Sequence, residues 1–584
     1  MGPSQTSVVP AADAPLAWDS APCWRVLDSC FQHGELFFAT WSSWVEDPQR
    51  PHLLHYVAIT PAAPAPDVLL RTLTAFWPLA AHAADLHRQW VGLVPGFHRI
   101  VLQRGQVLLT LCIGPMQLML REQQFMADAV CLPAAVTEAR PAVWDRWNIK
   151  ALTRLCRRGT WIHVGTAPAM LQSELEQAGF VFENTVGSDG SVMPAGHPAT
   201  ALRGQYQPRW EPGSTRHPWR QAPAAASSCV VVGAGLAGAL VAAALARRGW
   251  QVTVLDAGAQ PASAASSLPV GLFAQQVSRD DSTRSRLSRA GVRATLQMCE
   301  AWLHEGDDWS LSGVLELQRN QGFAPIHHAA AGWIKPARLV QACLARPGVQ
   351  FIGNSDVQKA VREGGHWELS GADGKLLGRA RCLVVAGAAG SVELLDCAAD
   401  AARQSRGPIL RMAAMQRVSG LVSWGLHQAG DSAAFPPIPV NGQGSFVAHV
   451  PNHAARAWFA GATYETVEAA TMRTAEGHDE NLQRLSRLLP QVARRLTKRF
   501  SQSQVQAWTG TRCTTIDRLP AVGALDAGPQ PNLWVSTGFG SRGLTYAALC
   551  AELLAAQLGG EPVPVEASLA KCIAATRPQL LHHP

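Results

Sequence analysis

Charge is scarce in this chain: 16% of its 584 residues are Asp, Glu, Lys or Arg, against 47% hydrophobic. That ratio excludes a disordered polypeptide and calls for compact cores. The length exceeds what one core supports, so two or three domains are expected. No CxxC pair occurs among the thirteen cysteines, and none clusters with the spacing of a metal site. A disulfide scaffold and a zinc framework are therefore not expected, and the cysteines read as small buried hydrophobes of a reducing compartment. No basic segment followed by an apolar run opens the chain, and apolar stretches such as Ala237 to Ala246 are too short for a bilayer. The expectation is a cytoplasmic protein with no membrane and no metal requirement. A formal net charge of +7 is compatible with a polyanionic partner such as RNA without requiring one.

What the chain does carry is a nucleotide-binding turn. Cys229-Val230-Val231-Val232 reads as a strand, Gly233-Ala234-Gly235-Leu236-Ala237-Gly238 as a turn opening an Ala-rich helix, and Gln251 to Asp256 as a second strand ending in an acid. This order suits an adenine dinucleotide. Gly233 permits the tight turn, Gly235 lets backbone approach a pyrophosphate, and Gly238 lets helix and strand pack closely. Asp256 would accept hydrogen bonds from ribose hydroxyls, with the phosphates on unpaired helix amides. A glycine-rich turn without a ligand is the plain alternative.

Strand-like His55 to Ile59 and Gln106 to Leu111 alternate with helical patterns in the first part, with a break near Pro78. Strand Thr160 to Val164 and helix Leu171 to Ala178 continue that alternation, which predicts a mostly parallel sheet. A Pro-, Arg- and Ala-rich stretch marks a boundary, so the expected division is a domain over 21–204, a linker over 205–227 and a domain over 228–584. In the latter, strand Cys382 to Ala386 runs into Gly387, and strand Asn532 to Ser536 runs into Thr537-Gly538-Phe539-Gly540-Ser541-Arg542-Gly543-Leu544-Thr545 and a helix. This second glycine-rich turn would bring a second backbone nest towards the cofactor.

These turns, with Gly332-Trp333-Ile334-Lys335-Pro336-Ala337, Gly461-Ala462-Thr463-Tyr464, Thr511 to Gly523 and Glu561-Pro562-Val563-Pro564, resemble in order and composition the bifunctional enzymes of bacterial tRNA wobble-uridine modification. Phe37-Phe38-Ala39-Thr40-Trp41 and Phe76-Trp77-Pro78-Leu79 extend the resemblance to the first domain. It implies an α/β chain: an N-terminal methyltransferase-like Rossmann domain using S-adenosylmethionine, then a C-terminal FAD-binding Rossmann-type domain with an interleaved mixed-sheet substrate domain. The implied activity is FAD-dependent removal of the carboxymethyl group from 5-carboxymethylaminomethyl-(2-thio)uridine at tRNA position 34. Methylation of the exposed amine follows in the family. Molecular oxygen is the implied electron acceptor.

For a substrate carboxylate, arginine offers a rigid two-pronged donor. Arg512 and Arg542 are the candidates, with Tyr464 as a substrate hydrogen-bond donor; the alternatives are arginines anchoring loop carboxylates and a core tyrosine. The expected cofactor-binding set is Gly233, Gly235, Gly238, Asp256, Ser267, Gly271, Gly387, Gly538, Gly540, Ser541, Arg542, Gly543, Leu544 and Thr545. Arg417 stands one residue from where the family has a flavin-side arginine. A helix over 481–499 carries Arg484, Arg487, Arg494, Arg495, Lys498 and Arg499, either to bind phosphates or as the solvated face over Leu485 and Leu496.

The first domain departs from the family at four places. Phe31-Gln32-His33-Gly34 replaces a glycine-rich turn, Thr60 a ribose-binding acid, Pro115 an Asp near adenine, and Pro133 the acid of a further segment. The expectation is that methylation is lost. Asp128 and Glu35 are either substitutes or ordinary polar residues. Two rivals to the tRNA oxidase stand: an FAD oxidase of a free secondary amino acid such as sarcosine or glycine, and a non-catalytic flavin-containing tRNA-binding protein.

Overall fold

The computed structural model describes all residues except 1–17, 19–20, 138–142, 166, 184, 187–191, 194–200, 210–225, 319–323, 403–410, 454, 467–473, 527–531 and 582–584. Most of the expected linker therefore lies outside the described residues. The chain forms two compact units, one of residues 1–224 with 556–568 and one of residues 225–555 with 569–584.

The first unit is built on an eight-stranded sheet. Its strands are β1 (Cys23–Asp28), β2 (Leu53–Thr60), β3 (Gly96–Leu102), β4 (Val107–Ile113), β5 (Ala127–Leu132), β6 (Cys156–Val164), β7 (Phe180–Phe182) and β8 (Leu202–Tyr206), in the order β3-β4-β2-β1-β5-β6-β8-β7. The five strands β4, β2, β1, β5 and β6 run parallel, as the helix and strand alternation predicts, and β3, β8 and β7 pair antiparallel. Parallel strands covered on both faces read as continuous apolar runs, and β2 is buried along its whole length. Successive residues serve opposite layers. Val26 packs with Phe37, Trp41 and Tyr56, whereas Leu27 packs with Val57, Phe125 and Val130. Helix α1 (Glu35–Glu46) supplies Phe37, Phe38, Trp41 and Trp44 to the first of these layers.

Residues 556–568, from the far end of the chain, complete this unit through polar groups in its strands. Arg25 Nη2 donates to the Gly559 carbonyl (3.1 Å), Arg99 Nη2 to the Pro562 carbonyl (2.6 Å), and the Phe97 amide to Glu566 Oε1 (3.2 Å). His55 Nε2 lies 3.2 Å from Glu561 Oε2, with both side chains buried. Polar groups removed from water are tolerable only when paired in this way. A linear division of the chain does not reveal this crossing.

The second unit contains a six-stranded sheet with strands β9 (Ser228–Val232), β10 (Gln251–Leu255), β11 (Val349–Ile352), β12 (Cys382–Val385), β18 (Ala521–Ala524) and β19 (Leu533–Thr537), ordered β11-β10-β9-β12-β19-β18. All are parallel except β18. Between β12 and β18 the chain builds a second sheet from β13 (Gln416–Leu426), β14 (Val440–Gly442), β15 (Gly444–Asn452), β16 (Ala455–Gly461) and β17 (Gln506–Thr514), joined by residues 314–316 and 326–328. This is the interleaved mixed-sheet portion that the sequence implies. The helix expected over 481–499 is two helices, Thr474–Leu488 and Pro490–Ser501. Pro490 lacks the amide a continuing helix needs, but its fixed φ suits the start of a new one.

Because Glu561 is buried against His55, Glu561→Ala leaves a buried partner without its counterpart. We expect a loss of about 3 kcal/mol in the stability of the first unit, read as a lowered urea midpoint by tryptophan fluorescence. An unchanged midpoint would show that residues 556–568 are not integral to that unit.

Candidate flavin and substrate site

The nucleotide end lies where the connections of the six-stranded sheet diverge, at the carboxyl ends of β9 and β12, the usual ligand crevice of such sheets. Gly233 has φ 109° and a Cβ there would sit 2.6 Å from the Ala386 carbonyl oxygen, so only glycine fits. On helix α2 (Leu236–Ala246) a Cβ at Gly238 would lie 1.8 Å from the Gly233 carbonyl oxygen. Asp256 accepts the Ala234 amide at Oδ2 (2.6 Å) and the Gly258 amide at Oδ1 (2.8 Å). It braces the turn, and its remaining lone pairs stay available to ribose hydroxyls. Ser266 Oγ accepts the Leu236 amide (3.0 Å), whereas Ser267 Oγ accepts from Trp508 Nε1 (2.9 Å) and donates to the Ala264 carbonyl (2.8 Å). These close-packed glycines, the braced acid and the helix start fit the adenosine and pyrophosphate of FAD.

The second glycine-rich turn leads into α6 (Gly543–Gly559), whose first residue lies beside the start of α2: a Cβ on Gly543 would be 3.6 Å from Leu236 Cδ1. Gly538 (φ 76°) and Gly540 (φ 55°) give that turn its left-handed steps. Leu544 and Thr545 are buried against α3 (Thr283–Trp302), where Thr295 Oγ1 donates to the Leu544 carbonyl (2.8 Å). Gly387 is open, with nothing closer than 3.8 Å to an added Cβ.

From this turn opens a cavity of about 1010 Å³. Of the residues singled out from the sequence, Gly271, Tyr464, Arg512, Gly540, Ser541 and Arg542 line it together, while Gly233, Gly235, Gly238, Asp256, Ser267 and Gly387 do not. Tyr464 is 47% exposed, which excludes the core-tyrosine alternative. Arg512 does not anchor its loop's carboxylate; Arg577 does, gripping Asp517 with Nε (2.7 Å) and Nη2 (2.9 Å). Burial lowers the Arg512 guanidinium from its ordinary value, an effect the neighbouring Tyr464 opposes. Among the described residues no carboxylate pairs with Arg512 or Arg542. A half-buried guanidinium without an anion gains most when one arrives.

Sequence reasoning missed several lining groups. Arg284 and Arg518 line the cavity, as does Tyr546, whose hydroxyl is buried without a hydrogen-bond partner among the described residues. Tyr546 stands four residues after Arg542 on the same helical face, a spacing that offered a signal. Arg417 is spoken for by Glu393 (3.1 Å).

In the first unit the sequence-marked positions behave differently. Phe31 is buried and stacks on Trp90 at 5.9 Å, and the following Gln32 takes a positive φ of 47° where a glycine would be unstrained. Thr60 turns its hydroxyl to the Ala62 carbonyl (2.6 Å). Asp128 is held by Arg25 and Arg157, and half-buried Glu35 pairs with exposed His33, as ordinary polar residues do. The acid that sequence reasoning overlooked is Asp28, at the carboxyl end of β1. It accepts the Tyr56 hydroxyl (2.9 Å) and the Cys30 amide (2.9 Å), and burial carries its pKa from 3.8 up to about 6.

Known proteins similar to this chain identify its family. The family model for FAD-dependent oxidoreductases matches residues 228–329 and 321–557, and that for S-adenosyl-L-methionine-dependent methyltransferases matches residues 78–190. The tRNA 5-methylaminomethyl-2-thiouridine biosynthesis bifunctional protein MnmC of Albidiferax ferrireducens is 44% identical, over 96% of this chain and 94% of its own. Its namesake from Polaromonas naphthalenivorans is 43% identical, over 94% and 90%. This chain belongs to the MnmC family. Its second unit is accordingly an FAD-dependent oxidoreductase. A solved glycine oxidase from Geobacillus kaustophilus covers 62% of this chain and 100% of its own at 17% identity and a TM-score of 0.45. No helix among the described residues is long and apolar enough to cross a membrane.

Asp28 generates a pH prediction for this MnmC-family chain. Its raised pKa means the folded state keeps a proton that the unfolded state releases, so stability is highest below pH 3.8 and falls as pH rises through about 6. Asp28→Asn removes the charge; its Oδ1 still accepts the Cys30 amide, and its Nδ2 donates to the Tyr56 hydroxyl oxygen with the polarity of that bond reversed. We expect it to raise stability by about 2–3 kcal/mol at pH 7.5 and by nothing at pH 4, measured by chemical denaturation. A gain independent of pH would refute this assignment.

Proposed function

We propose that this chain oxidatively removes the carboxymethyl group of 5-carboxymethylaminomethyl-(2-thio)uridine at position 34 of tRNA, leaving the aminomethyl base. The observation that carries the reading is the pair Arg512 and Arg542, both lining one cavity beside the second glycine-rich turn and neither paired to a carboxylate among the described residues. Two rigid forks can hold the carboxylate of a glycine-like group and so fix the position of its methylene. The Gly233 to Gly238 turn and Asp256 would hold FAD, which when bound would supply the two-electron acceptor for the hydride of that methylene.

The chain's own groups set the rest. Val422, Val447 and Phe459 give the cavity an apolar side that excludes water from the methylene, and Tyr464 offers a hydroxyl to the base or its amine. Loss of hydride and of the amine proton leaves a carbon–nitrogen double bond. Water adds to that carbon, the bond to nitrogen breaks, and glyoxylate departs from the primary amine. Dioxygen serves as the terminal acceptor, and the reaction belongs to the cytoplasm, where tRNA is found.

Methyl transfer is not part of this reading. Thr60, Pro115 and Pro133 offer no acid where the family's donor is held, and Phe31 fills the space behind the first turn. The first unit keeps the fold without that chemistry.

Purified protein should carry flavin absorbance, which carboxymethylaminomethyl-modified tRNA bleaches without oxygen while sarcosine and glycine do not. Bleaching by the free amino acids alone would favour the small-substrate rival; tight tRNA binding without bleaching would favour the non-catalytic one. Replacing Arg512 by Met should raise KM about 30- to 100-fold, the worth of a charge-assisted pair. Titration calorimetry with S-adenosylmethionine should give no heat; micromolar affinity would overturn the loss of methylation.

A further inference from the structure

We infer that Arg487, at a rim braced by Arg484, binds a phosphate of the RNA backbone next to the modified uridine, a site separate from the arginines that hold the carboxylate. This rests on the tRNA reading above and specifies how that partner is gripped. The rim joins one face of α4 (Thr474–Leu488) to the tip of the β14–β15 hairpin. It presents Asn441, Gln443, Ser445, Gln483, Arg484 and Arg487 to the same cavity as Arg512.

Charge is the first argument. Arg284, Arg484, Arg487, Arg512, Arg518 and Arg542 all line the cavity, against one carboxylate, Glu480. A glycine-like carboxylate occupies one or two of these. The surplus calls for a larger anion, and in an RNA substrate the available anion is the phosphodiester.

The second argument is how the other cations of this segment are used. On α5 (Pro490–Ser501), Arg495 Nε and Arg499 Nη2 both bind the buried Asp431, at 2.7 and 2.9 Å, and so serve the fold. Arg484 is also ion-paired, with Glu480 through both Nε and Nη2, so it braces the rim rather than receiving the phosphate. Glu480 holds it from one turn back (Nε 2.8 Å), and its Nη1 donates to the Ala462 carbonyl (3.2 Å). Arg487, three residues on and on the same face, has no ion-pair partner among the described residues and is exposed. The amides of Asn441, Gln443 and Gln483 beside it supply neutral donors and acceptors suited to a nucleotide rather than to a second small anion. Depth agrees as well: Gln483 and Arg487 are exposed, whereas Arg512 is half-buried, so an RNA strand can lie at the rim while its modified base reaches inward.

The test uses full-length holoenzyme and compares Arg487→Glu with Lys498→Glu, an equal charge change at an exposed position on α5 that does not line the cavity. Substrates are carboxymethylaminomethyl-modified tRNA and the corresponding free nucleoside, followed by flavin reduction. Arg487→Glu should raise KM for tRNA about ten-fold at physiological salt and lower the slope of log KM against log salt by about one. Flavin content and KM for the nucleoside should stay at wild-type values, and Lys498→Glu should behave as wild type with both. The inference is overturned if Arg487→Glu handles tRNA as wild type does, if Lys498→Glu loses as much, or if the nucleoside suffers equally. Failure of the tRNA reading itself would look different: wild-type enzyme would reduce its flavin with sarcosine and not with modified tRNA.

Discussion

Helix α2 can begin where it does only because Gly238 lies against the Gly233 carbonyl, where a Cβ would come within 1.8 Å of the oxygen. That approach seats the helix directly on β9 and leaves its first amides facing the crevice. Asp256 then locks the turn by accepting the Ala234 amide. At the other end of α2, Arg247 (2.6 Å) and Arg248 (3.3 Å) both reach Glu552 of α6, so the two helices are tied together. With α6 tied to α2 and its start packed on Leu236, the turn before it has little freedom, and the position of Arg542 follows. A contact at one glycine thus propagates to an arginine that lines the cavity.

Arginines in the second unit divide by what holds them. Arg577, Arg495, Arg499, Arg247 and Arg248 each grip a carboxylate and act as internal cross-links. Among the described residues Arg512 and Arg487 have no such partner, and Arg542 makes no ion pair but lies near enough to Glu316 to add to the lowering of its pKa by the His328 hydrogen bond. For Arg512, an unpaired cation in a concave, partly dry place is held against its solvation preference, which an arriving anion relieves. Composition cannot make that division, because a net charge of +7 sums both kinds.

How far the sequence carried follows from the range of each interaction. The strand, turn and helix at Cys229 to Ala246 are local: glycine spacing and apolar runs are enough to place them, whereas the bracing of the turn by Asp256, read from sequence only as a ribose acceptor, emerges from the fold. Arg512, on strand β17, and Arg542, in the second glycine-rich turn, both sit in stretches of recognisable composition, and both line the cavity. Tyr546 was not readable, since its significance lies in a hydroxyl left without a partner after folding. Asp28 ends an apolar strand as Asp256 does, but the turn after it has lost its glycines, and with them the signal. The strap over 556–568 is the extreme case. Its contacts to Arg25, His55 and Arg99 span more than 400 residues, a distance over which no periodicity in one sequence reports.

In the first unit the strap is held away from the strand ends where the sequence departs from its family. The departures in the first unit all follow the carboxyl ends of parallel strands: Gln32 after β1, Thr60 ending β2, Pro115 after β4 and Pro133 after β5. Those ends form the edge where such a sheet takes its ligand. The groups that hold residues 556–568 sit inside the strands instead, at Arg25, His55 and Arg99. Ligand edge and strap therefore draw on separate residues, and the first can erode without loosening the second. Within the first unit the strap is therefore held by buried groups in strand interiors, a constraint that does not depend on whether a methyl donor binds at the strand ends.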